Sequence, residues 1–161
     1  MNKMIKYGFL FILSCFLSGV LFSQTTINIS GTQVVKKGET FTVEGGQTLL
    51  FEPGATLQIE GSLVIKGTTE SPVIVKSSNQ VMPGNGFMIV GIDESSVVSV
   101  SNVKFENLIQ PMRFDPFWYR KSVKIQDISI SGSSSGEPII YVAGPFLDLR
   151  EGMDIRFSMN S

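Results

Sequence analysis

The chain of 161 residues contains no histidine and only one cysteine, Cys15. Histidine is the side chain best suited to acid–base chemistry near neutral pH and the commonest protein ligand of transition metals. Its absence excludes Ser-His-Asp catalysis, Cys-His catalysis and the usual zinc sites within this chain. A single cysteine allows no disulfide inside the chain, so packing and hydrogen bonds must stabilise it. We therefore predict neither a cofactor nor a metal site.

Charge is also scarce, because charged residues make up only 17% of the chain. Thirteen basic and 14 acidic side chains give a formal net charge of −1. Proteins that bind nucleic acids concentrate basic side chains in a patch or stripe, so we expect no nucleic-acid partner. A hydrophobic content of 42% with so little charge argues against disorder and predicts one folded domain with its own core.

The first 23 residues have the composition of a secretory signal peptide. Lys3 and Lys6 precede an apolar run over residues 7–22, and the small residue Ser23 ends the segment. This order predicts cleavage after Ser23. The alternative is an uncleaved membrane anchor, but the apolar run is shorter than the roughly 20 residues that a span requires. We expect a secreted or surface protein with no transmembrane span after cleavage, the periplasm being the other compartment open to it.

Cys15 offers a second interpretation of the same segment. Residues 12–15, Ile-Leu-Ser-Cys, resemble a bacterial lipoprotein signal, in which the cysteine becomes the lipidated first residue of the mature protein. Phe16 and Leu17 continue the apolar run where a lipoprotein would usually become polar. Lipidation at Cys15 is therefore the alternative to simple cleavage. If Cys15 is removed with the signal, the mature protein has no thiol.

Residues 48–77 carry the clearest structural pattern of the chain. Apolar residues alternate with polar ones in short runs that are interrupted by turn residues at Pro53, Gly54 and Gly61. Strand side chains have a period of two, so this alternation predicts short strands with one face inward. Proline followed by glycine predicts a type II turn. The inward residues expected here are Leu49, Phe51, Leu57, Ile59, Leu63 and Ile65.

The stretch FEPGATLQIEGSLVIKGTTESPVIVKSS resembles the N-terminal segment of bacterial secreted right-handed parallel β-helix proteins. The shared pattern is L-x-x-x-PG-x-x-L-x-x-x-G-x-L-x-x-x-GT-x-x-x-P-I-x-x-S, with Val73 where the family prefers isoleucine. The resemblance implies an all-β, right-handed parallel β-helix (β-solenoid) and a motif that carries no catalytic residue. We expect residues 24–161 to form this coil behind an N-terminal capping segment. Because the chain stops at Ser161 just after a predicted strand, we also expect the coil to be incomplete at its C-terminal end, or its last layer to be covered by something else.

An internal repeat extends the same prediction. Residues 98–105 align with residues 123–130, 25 positions later, and residues 154–157 are interpreted as a repeat of the second half of this unit, 27 positions further on. Alternation breaks at Asn102 and Asp127, which predicts a corner in the left-handed conformation that Asn and Asp tolerate best. Asn102, Asp127 and Asp154 would then form a ladder along the coil. Calcium binding by these oxygens is the alternative interpretation.

Two apolar segments fall outside the repeat. Residues 87–92 are predicted to form a continuous apolar strand, and residues 110–121, QPMRFDPFWYRK, to interrupt the coil as a loop. Aromatic rings beside cations could stack on a sugar or contact a partner protein, whereas the structural alternative is a loop folded over its own strands. The candidate contact residues are Arg113, Phe117, Trp118, Tyr119 and Arg120.

These observations favour a non-catalytic secreted or cell-surface module with a structural or adhesive role, which could bind a glycan. A polysaccharide or an envelope or surface protein is the expected partner. The first alternative is the N-terminal part of a polysaccharide lyase or hydrolase, and the second is a subunit of a bacterial envelope assembly. An enzyme of the first kind needs paired carboxylates or acidic calcium ligands, yet the available acids form no evident cluster in the sequence. These acids are Asp93, Glu94, Asp115, Asp148, Glu151 and Asp154.

Overall fold

The structure, a computed structural model, describes residues 25–91, 95–115, 123–132, 140–142 and 154–157. Within these ranges the chain forms thirteen β-strands, numbered β1 to β13 in chain order, and no helix. No helix able to span a membrane is found among these residues. Every strand pairing in them is parallel.

The strands lie on three faces, and the chain visits the faces in a constant order. Face 1 contains Thr26–Ile29 (β1), Thr48–Phe51 (β4), Val73–Ser77 (β7) and the second halves of Val98–Glu106 (β9) and Val123–Ser131 (β11). Face 2 contains Thr32–Val35 (β2), Thr56–Ile59 (β5), Gly86–Ile89 (β8), Met112–Phe114 (β10) and Ile140–Val142 (β12). Face 3 contains Thr40–Glu44 (β3), Ser62–Lys66 (β6), the first halves of β9 and β11, and Asp154–Phe157 (β13). This arrangement is a β-solenoid and confirms the predicted parallel β-helix.

Successive layers pair in register although the turns differ in length. Thr26 lies opposite Thr48, 22 residues later, whereas Leu63 lies opposite Val98, 35 residues later. The longer turn contains the loops between β7 and β8 and between β8 and β9. The loops therefore absorb the difference in length, and the strands keep their stacking.

The core fills the inside of the coil with alternate residues of each strand. All six inward residues predicted from residues 48–77 have 0–1% of their surface exposed. Rings of Phe51 and Phe87 meet edge to face with centroids 5.6 Å apart, and Phe105 continues the column 6.3 Å from Phe87. Burial of one such side chain contributes roughly 1.5–3 kcal/mol, so each added layer helps to offset the cost of ordering its backbone.

The Pro53-Gly54 corner has the predicted geometry. Gly54 has a φ of 70°, and the Ala55 N–H donates to the Glu52 carbonyl at 2.9 Å. Proline at the second position and a positive φ at the third define a type II turn. This corner connects face 1 to face 2 in the second layer.

Asn102 and Asp127 form the predicted parity-changing corner. Their φ angles are 48° and 53°, and the strand register around them, in which Ser101 pairs with Gln126 and Val103 with Ile128, places them opposite each other. The corner turns β9 from face 3 to face 1. Consequently Val98, Val100, Val103 and Phe105 are all buried, as the sequence predicted.

The placement of Asp154 in this ladder was wrong. In the structure Asp154 pairs with Lys124 and Ile155 with Ile125, so β13 begins on the first half of β11 and reaches the second half at Phe157, which pairs with Ile128. The repeat distance at this position is therefore 30 residues instead of the 27 inferred from the sequence. Phe157 pairs with Ile128 across a shift of register at Asp127, so the match to β11 skips one residue. An alignment of four consecutive residues without a gap cannot find this pairing.

Two apolar segments also differ from their predictions. The strand β8 ends at Ile89, whereas residues 87–92 had been predicted, and its side chains alternate, with Phe87 and Ile89 buried and Met88 half-buried on the outside. β10 is a strand of face 2 where a loop had been predicted, and its Met112 and Phe114 are fully buried. Pro111 immediately precedes β10 and accepts a hydrogen bond from the Phe87 N–H at 3.1 Å. Proline is compatible with this place because the start of a strand needs only its carbonyl group.

We expect Asn102→Val to lower the free energy of unfolding by about 1–2 kcal/mol, because a β-branched residue is disfavoured in the left-handed conformation. Asn102→Gly should stay within about 0.5 kcal/mol of the parent, since glycine adopts this conformation freely and only the bond from Asn102 Nδ2 to the Gly67 carbonyl (3.3 Å) is lost. Urea denaturation of both variants measures the difference. Equal stability of the two variants would contradict the conformational explanation.

Candidate functional site

Face 2 carries a column of outward side chains that crosses four layers. Val34, Gln58, Met88 and Arg113 lie opposite one another in β2, β5, β8 and β10. Arg113, one of the five contact residues predicted from the sequence, is therefore part of this column. Its backbone is fixed on both sides, because β10 pairs with β8 and with β12.

A groove of about 400 Å³ opens beside this column, at the edge of face 2. It lies at Gly86, which is opposite Thr56 and gives the surface no side chain at that position. Gly86 has a φ of 105°, and a Cβ there would lie 2.7 Å from the Gln110 carbonyl oxygen and 2.8 Å from that of Pro111. The next layer can therefore approach only because this residue is glycine. The polar and flexible side chains around the groove are Thr56, Asn85, Met88, Gln110 and Arg113.

Asn85 and Thr56 are held in a defined orientation at this groove. The Asn85 Nδ2 group donates to the Gly54 carbonyl and to Thr56 Oγ1, both at 2.9 Å. Because a carbonyl can only accept, the first bond fixes which end of the amide is the nitrogen. The Asn85 Oδ1 atom remains as an acceptor and the Thr56 hydroxyl as a donor. The groove thus contains one oriented acceptor next to one oriented donor.

Arg113 brings a cation to the groove, but its charge is balanced locally. Its side chain is 46% exposed, and Nε donates to Asp115 Oδ1 at 2.8 Å. Glu60, on the same side of face 2, accepts from Gln58 Nε2 at 2.7 Å. The described residues around the groove therefore carry nearly balanced charge and offer many hydrogen-bonding groups.

The other predicted contact residues cannot be placed relative to Arg113. They lie outside the residues that the structure describes, and they are Phe117, Trp118, Tyr119 and Arg120. The structure adds Thr56, Asn85 and Gln110, which the sequence analysis did not select. No local signal identifies them, because Thr56 and Asn85 become neighbours only through the register of β5 and β8.

The candidate carboxylates are not collected at one place in the described part of the chain. Asp115 pairs with Arg113 at the groove, and Asp154 lies in register with Lys124 on face 3. Among the described residues no group of three or more His, Cys, Asp or Glu side chains could hold a metal ion. The remaining four acids lie outside these residues, and they are Asp93, Glu94, Asp148 and Glu151.

Comparisons with family models, with curated proteins and with solved structures found no match to this chain. The class of protein is therefore defined by its fold, the parallel β-solenoid. Its functional assignment depends on the chemistry of its own surface.

Proposed function

We propose that this chain is a non-catalytic β-solenoid module of a secreted or cell-surface protein that binds a glycan on face 2. The observation that carries the proposal is the groove at Gly86, in which hydroxyl, amide and guanidinium groups surround a partly apolar floor. Ligand sites typically combine an apolar lining with a few oriented polar groups and occupy about 300–1,000 Å³. The volume and lining of this groove fall within that description.

The scaffold suits a polymeric ligand. Groove residues come from three consecutive layers, and the strands β5, β8 and β10 that carry them are paired in register. Layers of a parallel sheet lie about 4.8 Å apart, so equivalent positions on face 2 repeat at that interval along the coil. A rigid surface of this kind loses little conformational freedom when an extended chain binds to it.

Export is part of the proposal and is supported by the sequence alone. Residues 1–23 act as a cleaved secretory signal, with lipidation at Cys15 as the alternative form of surface attachment. Both routes deliver residues 24–161 to a compartment in which polysaccharides and surface proteins are present. Intact-mass measurement of the exported protein distinguishes a Gln24 N-terminus from a lipidated Cys15.

We expect Arg113→Ala to weaken glycan binding at least several-fold, because a hydrogen bond to a charged group contributes about 1.5–3 kcal/mol. Isothermal titration calorimetry against the best ligand from a bacterial and plant glycan array measures this loss. Lys124→Ala is the matched control, since Lys124 is an exposed cation on face 3. Equal losses in the two variants, or no glycan binding by the parent, would contradict the proposal.

Incubation of the protein with the same glycans tests the enzymatic alternative. A lyase would release unsaturated products that absorb in the ultraviolet, and a hydrolase would release new reducing ends. Either product would overturn the non-catalytic assignment.

A subunit of an envelope assembly remains the second candidate, and one observation favours it. Val81 and Met82, at the tip of the loop between β7 and β8, are 89% and 61% exposed. The Asn79 side chain holds this loop by accepting from both of their N–H groups at 2.8 and 3.0 Å. A rigid loop that presents apolar side chains suits a protein contact. Loss of a co-purifying protein in a Val81→Ser, Met82→Ser variant would support this candidate over glycan binding.

A further inference from the structure

We infer that the groove at Gly86 is a subsite for one unit of an electrically neutral sugar, recognised through its hydroxyl groups. This inference rests on the proposed glycan-binding function and specifies its ligand class. Three properties of the groove carry it: the pairing of a donor with an acceptor, the apolar floor, and the balanced charge.

The first property is the arrangement of Thr56 and Asn85. The Thr56 oxygen already accepts from Asn85 Nδ2, which directs the Thr56 hydroxyl hydrogen away from that amide. Asn85 also lines the groove, and because its Nδ2 is committed to Gly54 and Thr56, its remaining side-chain polar atom is the acceptor Oδ1. A sugar hydroxyl donates one hydrogen bond and accepts others, so a single hydroxyl or two adjacent ones can satisfy both groups. An ionised carboxylate can only accept and would leave Asn85 Oδ1 without a donor.

The second property is the floor of the groove. Met88 and Ile109 contribute apolar side chains that are half-buried, and Gly86 contributes bare backbone. A pyranose ring presents C–H groups on its faces, and a polarisable, flexible methionine can follow such a surface. Hydroxyl groups at the ring edge would then point towards Thr56, Asn85 and Gln110. The groove is large enough for one ring and is open on one side, so the neighbouring units of a chain can leave it.

The third property is the balance of charge. Among the residues that the structure describes, Arg113 is the only charged one that lines the groove, and its Nε is 2.8 Å from Asp115 Oδ1. A carboxylated or sulfated sugar approaching Arg113 would meet the Asp115 carboxylate beside it. Electrostatic attraction between ligand and groove is therefore weak, and affinity should depend little on ionic strength.

Calorimetric titration of the full exported chain tests the inference. The probes are neutral oligosaccharides built from glucose, mannose, xylose or N-acetylglucosamine, and acidic ones built from galacturonate or mannuronate, each at low and high sodium chloride. We expect a neutral probe to bind best, with less than a twofold change in affinity between the two salt concentrations. Preference for an acidic probe, lost at high salt, would overturn the neutral assignment and leave glycan binding in place.

A variant series locates the subsite. Thr56→Val removes the hydroxyl at nearly constant shape and should lower affinity about threefold to tenfold, the effect of one net hydrogen bond. Thr56→Ser keeps the hydroxyl group and should retain most of the affinity of the parent. Thr42→Val is the control, because Thr42 is exposed on β3 of face 3, and urea denaturation verifies that all three variants remain folded. Undiminished binding by Thr56→Val would overturn the subsite alone, whereas absence of binding to every glycan would overturn the proposed function itself.

Discussion

Phe87→Ala is expected to lower the free energy of unfolding by about 3–5 kcal/mol, the range for removal of a buried aromatic ring. Phe87 is 1% exposed and stands between two other rings, with Phe51 5.6 Å away in the preceding layer and Phe105 6.3 Å away in the following one. Both contacts are edge to face, a geometry that adds about 0.5–1.5 kcal/mol per pair. Because domains are typically stable by only 5–15 kcal/mol, this one substitution removes a large share of the total.

Denaturation in urea, followed by circular dichroism, measures this effect. Phe87→Leu keeps most of the buried volume, so it should lower the free energy of unfolding clearly less than Phe87→Ala does. Met88→Ala is the neighbouring control, since Met88 is half-buried on the outer surface of the same strand and should lose about 1 kcal/mol or less. If Phe87→Ala cost no more than Met88→Ala, the inward direction of Phe87 would be wrong.

Gly67→Ala is expected to cost about 3 kcal/mol, although it adds only one methyl group. A Cβ at Gly67 would overlap the carbonyl oxygen of Asn102 and would lie 2.9 Å from that of Ser101. Both atoms are backbone of the next layer, where the Gly67 N–H donates to the Ser101 carbonyl at 3.0 Å. The layers would have to separate locally, because overpacking against fixed backbone cannot be relieved by a change of rotamer.

Gly38→Ala is the matched control for this steric effect. Gly38 has a φ of 81°, and a Cβ there would have no neighbour within 4 Å, so the cost is conformational and about 1–2 kcal/mol. Chemical denaturation of the two variants separates the two causes. If Gly67→Ala lowered the free energy of unfolding less than Gly38→Ala, the layers would separate more easily than the pairing of β6 with β9 indicates.

The features that the sequence predicted well are those that depend on near neighbours. Alternation of Leu57 with Gln58 and Ile59 indicates which side chains face inward, and Pro53-Gly54 specifies its own turn. The corner at Asn102 was predictable because two copies of the repeat break alternation at the same place. Each of these signals is visible in the sequence itself, either in adjacent residues or in a repeat of the same pattern, so it needs no knowledge of what the segment packs against.

The features that the sequence predicted poorly depend on which residues pair between successive layers. Met112 and Phe114 belong to a strand, but prolines at 111 and 116 made the segment resemble a loop. The sequence analysis missed the groove because Thr56 and Asn85 approach each other only through the pairing of β5 with β8. Turn lengths between 22 and 35 residues make such pairings impossible to assign by a constant period. Of the five predicted contact residues, Arg113 is the one that the structure describes. It lines the groove, although it was selected for its aromatic neighbours, and its contact with a ligand stays a prediction.

The unequal turns of the coil suggest how such a protein can acquire new properties. Corner loops grow without disturbing the inward columns, as the 35-residue turn demonstrates beside the 22-residue one. Doubling the length of a flexible loop costs only about 0.6 kcal/mol in closure entropy, which a single buried side chain more than compensates. Insertions into the loop between β7 and β8 should therefore be nearly neutral, unlike changes at the tight corners of Gly67 and Asn102. Evolution or an engineer can graft a foreign recognition segment into that loop while the coil that carries it stays unchanged.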